Sequence, residues 1–387
     1  MSNSKIFNIF ILAGPILFAG LDSSLFGASW YLLGIVGFFY MLQDKRNIGT
    51  QGYTWILACT PFLLIQFAYL LGYNLPIGRA EFLEVALGGL CIISFLNATK
   101  IPRESLVLPF LFSGVFFLSN AIIDVSLLGY VRAGHDFNPI NFGIGAGSIA
   151  LLAWSATETN GQNSKITNVF FLCALLAAIA MIMSDSRGPI LSFIFCSLVI
   201  FYFTSRANKQ NLTPTKINRK LGFHLTIVVL IIIGLYEATL RTLSAENSYL
   251  DLSTTIRLGL FNFGVEYLLQ HPIVGVGPDQ SGALLKTLTE PLSNYNHLHN
   301  TMITVAVEHG IMGVIALLWF LGFLIYRTTV KSNHHSAVFY LNVLLIFFIL
   351  SSMTQDILSH SYTRKIATLT IILSWLLIGG KNCSAKK

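Results

Sequence analysis

Charge is scarce in this chain. Asp, Glu, Lys and Arg together make up 11% of its 387 residues, roughly half the share carried by a soluble domain. So few charges cannot furnish a water-facing surface for a chain this long, which excludes an ordinary soluble globular protein. The five cysteines, Cys59, Cys91, Cys173, Cys196 and Cys383, are scattered, four in apolar runs and one in the tail. None has metal-ligand spacing, and none falls in a loop where a disulfide would be useful. A Walker-type phosphate loop, a DxD-like acidic pair suited to a metal–nucleotide sugar and a zinc motif are all missing. A donor activated by a cytoplasmic nucleotide is therefore not expected, nor is a cofactor. No internal repeat or low-complexity tract is evident. The first apolar run, 6–21, lacks a small-residue cleavage site, so no cleavable signal peptide is expected.

What fills the chain instead is apolar sequence. Hydrophobic residues reach 54% and the mean hydropathy is +0.69. Runs of about 17–25 apolar residues mark membrane spans, and twelve candidates follow: 6–21, 25–42, 53–71, 80–97, 105–122, 139–155, 166–183, 188–204, 221–239, 299–326, 336–354 and 365–380. The fold class is thus all-α, a single polytopic membrane domain over 1–387 with about twelve helices. The first two runs are separated by a very short turn and could form a re-entrant pair. The net charge of +7 could suggest nucleic acid, but positive charge on cytoplasmic loops explains it. With the N-terminus inside, sixteen of the 24 Lys and Arg lie on inner segments and eight on outer ones. That bias puts both termini in the cytoplasm. The basic stretch 204–220 reads as an inner topological anchor near anionic lipid.

One outer segment is long, from about 240 to 298. Within it, residues 252–270 predict an amphipathic helix with Ile256, Leu260, Phe263 and Tyr267 on one stripe and Asp251 or Ser253 as cap. Pro272 ends that helix, and the turn PIVGVGP (272–278) leads through polar sequence to His297 and His299. The stretch His299–Gly313, HNTMITVAVEHGIMG, then opens the next span. At about 100° per residue, His299, Ile303, Ala306, Gly310 and Gly313 fall within about 40° of one line. A helix carrying that stripe predicts close approach of a second helix at the glycines.

Several outer-face residues could carry chemistry. The Ser184–Pro189 connection, SDSRGP, holds Arg187 at the membrane surface, either gripping a phosphate in bidentate fashion or snorkelling beside Asp185. Arg257 lies on the amphipathic helix, as a binding residue or as part of its solvated face. Gly275 and Gly277 permit close backbone approach to a ligand or a tight turn, although the strand–turn–helix setting of a nucleotide loop is absent. His299, with Asn300 beside it, can accept a proton from an alcohol, or can simply cap or pack the helix start. Glu308 is an intramembrane carboxylate, a functional group or one paired with a neighbouring helix. Gln355, Asp356 and His360 sit at the outer end of the eleventh span and could face the same cavity. Two arginines and one histidine would suffice for metal-independent glycosyl transfer from a lipid diphosphate.

In order and spacing these elements resemble the O-antigen ligases, within the larger group that includes O-antigen polymerases. The matching features are the SRGP-type loop at Arg187, the arginine-bearing helix with its HPIVGVG turn, and the histidine motif met by His299, Asn300, Gly310 and Gly313. The resemblance implies an inner-membrane glycosyltransferase of a Gram-negative bacterium. Its donor would be a glycan on undecaprenyl diphosphate and its acceptor a sugar of lipid A–core oligosaccharide, joined on the periplasmic side by inverting transfer. It also implies that His299 is general base or acceptor-orienting group and that Arg187 and Arg257 bind the diphosphate. Asn300, Gly275, Gly277 and Asp356 would contribute to substrate binding. The nearest alternative is a polymerase, which typically shows two sizeable outer loops. Here 123–138 is short. A twelve-span lipid-linked glycan flippase is the alternative of another class, but a transporter places its polar site near the midplane, whereas these groups cluster at the outer surface.

Overall fold

The computed structural model describes residues 3–73, 81–159, 164–207, 248–331 and 335–379. These are helical throughout the apolar runs, and no β-strand occurs among the described residues. The helices are α1 (Asn3–Phe18), α2 (Ser23–Gln43), α3 (Gly49–Tyr73), α4 (Glu81–Thr99), α5 (Val107–Ile122), α6 (Pro139–Thr159), α7 (Ser164–Met183) and α8 (Arg187–Ala207). They continue as α9 (Ser248–Gln270), the one-turn α10 (Ser281–Leu285), α11 (Thr301–Lys331), α12 (His335–Ser352) and α13 (Ser361–Gly379). Seven stretches are long and apolar enough to cross a membrane, and three shorter apolar helices accompany them. The chain is a multi-pass membrane protein. The run expected to span at 221–239 lies outside the described residues, as does most of the basic stretch 204–220.

Large apolar side chains such as Phe7, Phe10, Phe38, Phe39, Leu64 and Phe67 stay exposed on α1, α2 and α3, as helices solvated by lipid require. The interior is organised around α6, where the run GIGAGS (143–148) removes side-chain bulk. A Cβ on Gly145 would meet the Tyr362 hydroxyl, and one on Gly147 would meet Phe347 and Met181. Small-residue packing of this kind lets α13, α12 and α7 close on α6. The two N-terminal runs are separate helices, α1 and α2. Between them Asp22 accepts hydrogen bonds from the N–H groups of Ser24 (2.8 Å) and Leu25 (2.7 Å), an N-cap worth about 1 kcal/mol.

The polar segment before α11 is folded onto it. Ile256, Leu260 and Phe263 of α9 pack with Leu285, Leu298 and Val307, so the predicted apolar stripe finds a partner. The helix begins earlier than expected, at Ser248, which places Asp251 and Ser253 inside it and not at its cap.

The expected continuous stripe from His299 to Gly313 does not form. His299 precedes the helix, with φ +54, and Gly310 breaks the helix with φ 62 and ψ −160. Among the described residues, the turn 272–277 fills the break. The N–H groups of Val276 and Gly277 donate to the carbonyls of Val307 and Glu308, both at 2.9 Å. In return, the N–H groups of Ile311 and Met312 donate to the carbonyls of Pro272 (2.8 Å) and Ile273 (3.3 Å). The Tyr69 hydroxyl adds donations to the carbonyls of Val274 and, at 3.1 Å, Glu308. Broken backbone in an apolar setting costs several kcal/mol per unpaired group, and this exchange removes the cost. Glycine is required at both contacts: a Cβ on Gly310 would lie 2.3 Å from the Ile273 carbonyl oxygen, and one on Gly275 would lie 2.5 Å from Val307 O and His309 N. Gly310→Ala should therefore lower the thermal midpoint of the detergent-solubilised protein, by a destabilisation on the order of 1–3 kcal/mol. It should also open the 271–277 turn to limited proteolysis. A variant as stable and as protease-resistant as the parent would contradict the pairing.

Candidate functional site

The polar residues singled out in the sequence come from four separate segments, and the fold brings most of them to one end of the bundle. The first is the turn before α8. Asp185, with φ +48, ends α7 sharply, and the Arg132 guanidinium locks the turn that follows. Its Nε donates to the Ser184 carbonyl at 3.0 Å, and its Nη2 donates to the Asp185 carbonyl (3.1 Å) and Ser186 Oγ (2.9 Å). Arg132 is itself presented by a loop folded back on Asp124, whose buried carboxylate accepts from the N–H groups of Gly134 (2.6 Å) and His135 (3.1 Å). Arg187 then starts α8 with its side chain exposed.

The second segment is the turn 353–360 between α12 and α13. It lies against α8 so closely that a Cβ on Gly188 would fall 1.9 Å from Thr354 Oγ1. Arg364 braces this turn by donating from Nη1 to the Leu358 carbonyl; the same Nη1 lies 3.2 Å from Glu81 and Nη2 lies 2.6 Å from Glu84, both on α4. Lys365 completes the group, 3.3 Å from Glu84 and 4.2 Å from the centre of the Tyr31 ring. Asp356 is fully buried and accepts from Ser359 Oγ at 2.5 Å and Ser359 N at 3.3 Å. In this structure its carboxylate is engaged within its own turn.

The third segment is 295–301. His299 Nδ1 lies 2.9 Å from Gln355 Oε1. Asn300 caps α11, its Oδ1 accepting from Ile303 N at 3.2 Å while its Nδ2 donates to the Met353 carbonyl at 3.3 Å. Thr301 Oγ1 donates to the Gln355 carbonyl (3.2 Å) and accepts from Ile357 N (2.9 Å). His297 Nε2 stands 3.3 Å from His360 Nε2, and its ring centre is 4.3 Å from that of His299.

The fourth is α9, whose exposed Arg257 lies near enough for its charge to oppose protonation of His299. Burial is the main force lowering the His299 pKa below the usual histidine value; the Gln355 hydrogen bond works against it, and the Arg257 and His360 charges reinforce it. Burial also lowers His297, to about 4, helped by the charges of His299 and His360. His360 is lowered for the same first reason. The structure thus presents a cluster of neutral imidazoles with Arg257 in electrostatic reach of His299, and neither Arg257 nor Arg187 engages a carboxylate among the described residues. Such an arrangement can accept a proton from a hydroxyl and neutralise an anion next to it.

Two expectations find other partners. The N–H of Gly275 donates to the His271 carbonyl and that of Gly277 to Glu308, so both glycines serve the helix break. Glu308 pairs not with a helix of the bundle but with Ser281 Oγ (2.6 Å) and Ser281 N (3.3 Å) at the start of α10. Arg132 and Asn141 escaped the reading of the sequence: each is a lone polar residue near a span, without spacing or periodicity to mark it. Among the described residues, no three His, Cys, Asp or Glu side chains are arranged to hold a metal ion.

Residues 172–318 match the family described as O-antigen ligase. The match covers under half of the chain and makes this segment similar to that family. The matched stretch contains Arg187, Arg257, the 272–277 turn, His299 and Gly310, and it ends before the 353–360 turn that supports them. The wider group comprises ligases and polymerases, glycosyltransferase-like membrane enzymes whose substrates are lipid-linked glycans. No curated protein matches the chain.

Two expected outcomes follow from this geometry. Arg132→Ala should speed amide exchange over 184–188 while leaving α11 protected; unchanged exchange there would deny Arg132 its clamping role. The lowered His297 makes the folded state bind fewer protons than the unfolded one below the ordinary histidine value of 6.5. Its contribution to stability is therefore complete above that pH and is lost as pH falls through about 4. Thermal midpoints measured from pH 7 to pH 4 should decline, and His297→Gln should flatten the decline.

Proposed function

We propose that the chain is an O-antigen ligase, moving a glycan from undecaprenyl diphosphate to a sugar of lipid A–core oligosaccharide. The transfer would take place on the periplasmic face of a Gram-negative inner membrane, with both chain termini in the cytoplasm. The acceptor hydroxyl approaches His299, which takes its proton as the oxygen attacks the anomeric carbon. The bond to the diphosphate breaks from the opposite face, and the configuration inverts. Arg187 and Arg257 neutralise the departing undecaprenyl diphosphate. Asn300 shapes the acceptor side by capping α11, and Gly275, Gly277 and Asp356 act at one remove by holding the surrounding turns.

The observation that supports this reading is a buried neutral histidine in electrostatic reach of Arg257 and held by a turn packed against the start of α8, the helix that Arg187 begins. Gly188 packs on Thr354, the neighbour of the Gln355 that holds His299, and the Arg257 charge reaches His299 directly. A donor that carries its own diphosphate leaving group needs only those charges and a base. What supports ligase over polymerase is that the 123–138 loop is folded back on Asp124 and clamps 184–186, so that 248–298 is the one long segment between spans among the described residues.

Purified protein is to be incubated with undecaprenyl-diphosphate-linked glycan, with and without lipid A–core. Product on the core is the expected result; lengthening of the lipid-linked glycan would make the enzyme a polymerase. His299→Ala should reduce transfer by roughly 100- to 10,000-fold, the usual contribution of a general base. Arg187→Ala and Arg257→Ala should weaken donor use, with Lys restoring only part because the bidentate grip is lost. Chelators should leave the rate unchanged. Wild-type transfer by the His299 variant would remove the histidine from the mechanism.

A further inference from the structure

The residue that contacts His299 most directly lies outside the segment matched to the family. Gln355 is fully buried on the 353–360 turn, and its amide is held at both ends. On one side Oε1 stands 2.9 Å from His299 Nδ1. On the other, Nε2 donates to Asn141 Oδ1 at 3.2 Å, and Asn141 is itself buried near the start of α6. An amide oxygen can only accept, so His299 Nδ1 must carry the hydrogen, and the lone pair of the neutral ring is left on Nε2. We propose that Gln355 is a positioning residue that, backed by Asn141, fixes the tautomer and ring plane of His299 so that Nε2 faces the acceptor hydroxyl.

Three features make this more than a packing contact. First, His299 adopts φ +54, a conformation unfavourable for a non-glycine residue, and the Gln355 contact is one of the interactions that hold it there. Second, a buried amide whose oxygen and nitrogen both have partners cannot rotate without stranding a polar group away from water. Third, the partner is neutral. A carboxylate in the same place would stabilise the imidazolium, whereas an amide orients the ring and leaves it uncharged. The other groups facing His299 are Arg257 of α9, His297 and Tyr295 of its own segment, and His360 and Asp356 of the 353–360 turn. Arg257 and His360 oppose the imidazolium and Asp356 favours it. Gln355 is the group hydrogen-bonded to His299 Nδ1, and the choice of tautomer falls to it.

The proposal deepens the reading of His299 as base and rests on it only for its catalytic consequence. The test therefore has two arms, both on the full-length protein in nanodiscs. In the first, imidazole 15N shifts of His299, assigned by difference with His299→Ala, report the tautomer. The expected result is a protonated Nδ1 in the wild type and a mixture of tautomers in Gln355→Ala and Asn141→Ala. A protonated Nε2 in the wild type, or a tautomer indifferent to both substitutions, would overturn the proposal. In the second arm, Gln355→Ala should lower kcat about 100-fold with little change in the donor KM, as expected for a misplaced reacting group. Gln355→Glu supplies a charge that favours the imidazolium. Activity needs the neutral base, so the acid limb of its rate profile should move to higher pH. A KM effect alone, or an unmoved acid limb with the tautomer altered as expected, would leave the positioning intact and remove His299 as base.

Discussion

The exchange of backbone hydrogen bonds between the 272–277 turn and the break in α11 is the constraint on which the rest of the site depends. A helix interrupted within an apolar environment must have its freed N–H and C=O groups satisfied. Here four of them are paired by one short turn, from Val276 and Gly277 on one side and Pro272 and Ile273 on the other. The turn cannot slide along the helix, because Gly275 and Gly310 each admit the opposing backbone at distances that no Cβ would allow. Once it is seated, α9 must lie across the start of α11, where Ile256, Leu260 and Phe263 bury themselves against Leu298 and Val307. Arg257 follows from that placement.

A second support comes from the far side of the site. The 353–360 turn holds His299 through Gln355, Asn300 through the Met353 carbonyl, and Thr301 through the backbone of Gln355 and Ile357. The turn is anchored in its own right by Arg364 and its carboxylate partners on α4. The charges that brace the scaffold are thus paired and buried, while the arginines assigned to the substrate are exposed. That division is what a site for an anionic lipid needs. Paired charges contribute rigidity, and only unpaired ones retain attraction for an incoming diphosphate.

Much of this was legible in the residues. The apolar runs predicted helices where α1 to α8 and α11 to α13 occur, because a chain in lipid has few ways other than helix to satisfy its backbone. The stripe on α9 was visible for the same kind of reason, since Ile256, Leu260, Phe263 and Tyr267 recur at helical spacing. The small-residue run at 143–148 is where α7, α12 and α13 close on α6. The continuous helix from His299 was misread. Periodicity counts angles and cannot register that Gly310 takes a positive φ, nor that a loop closer than any helix fills the space beside it. Glu308, read as a functional group or one paired with a neighbouring helix of the bundle, meets Ser281 at the start of the one-turn α10.

By itself, the sequence determined the helical, membrane-embedded class of the protein and which polar side chains lie at the ends of its spans. Both follow from local chemistry: hydropathy is a property of each run, and a histidine or arginine at a surface connection is conspicuous wherever the chain goes. Only the tertiary structure decided how those side chains are held. That Arg132 clamps 184–186, that Gln355 and Asn141 orient His299, and that Asp356 engages Ser359 are pairings set by directional hydrogen bonds over long sequence separations. Such bonds depend on where whole helices come to rest, and no periodicity along the chain encodes that.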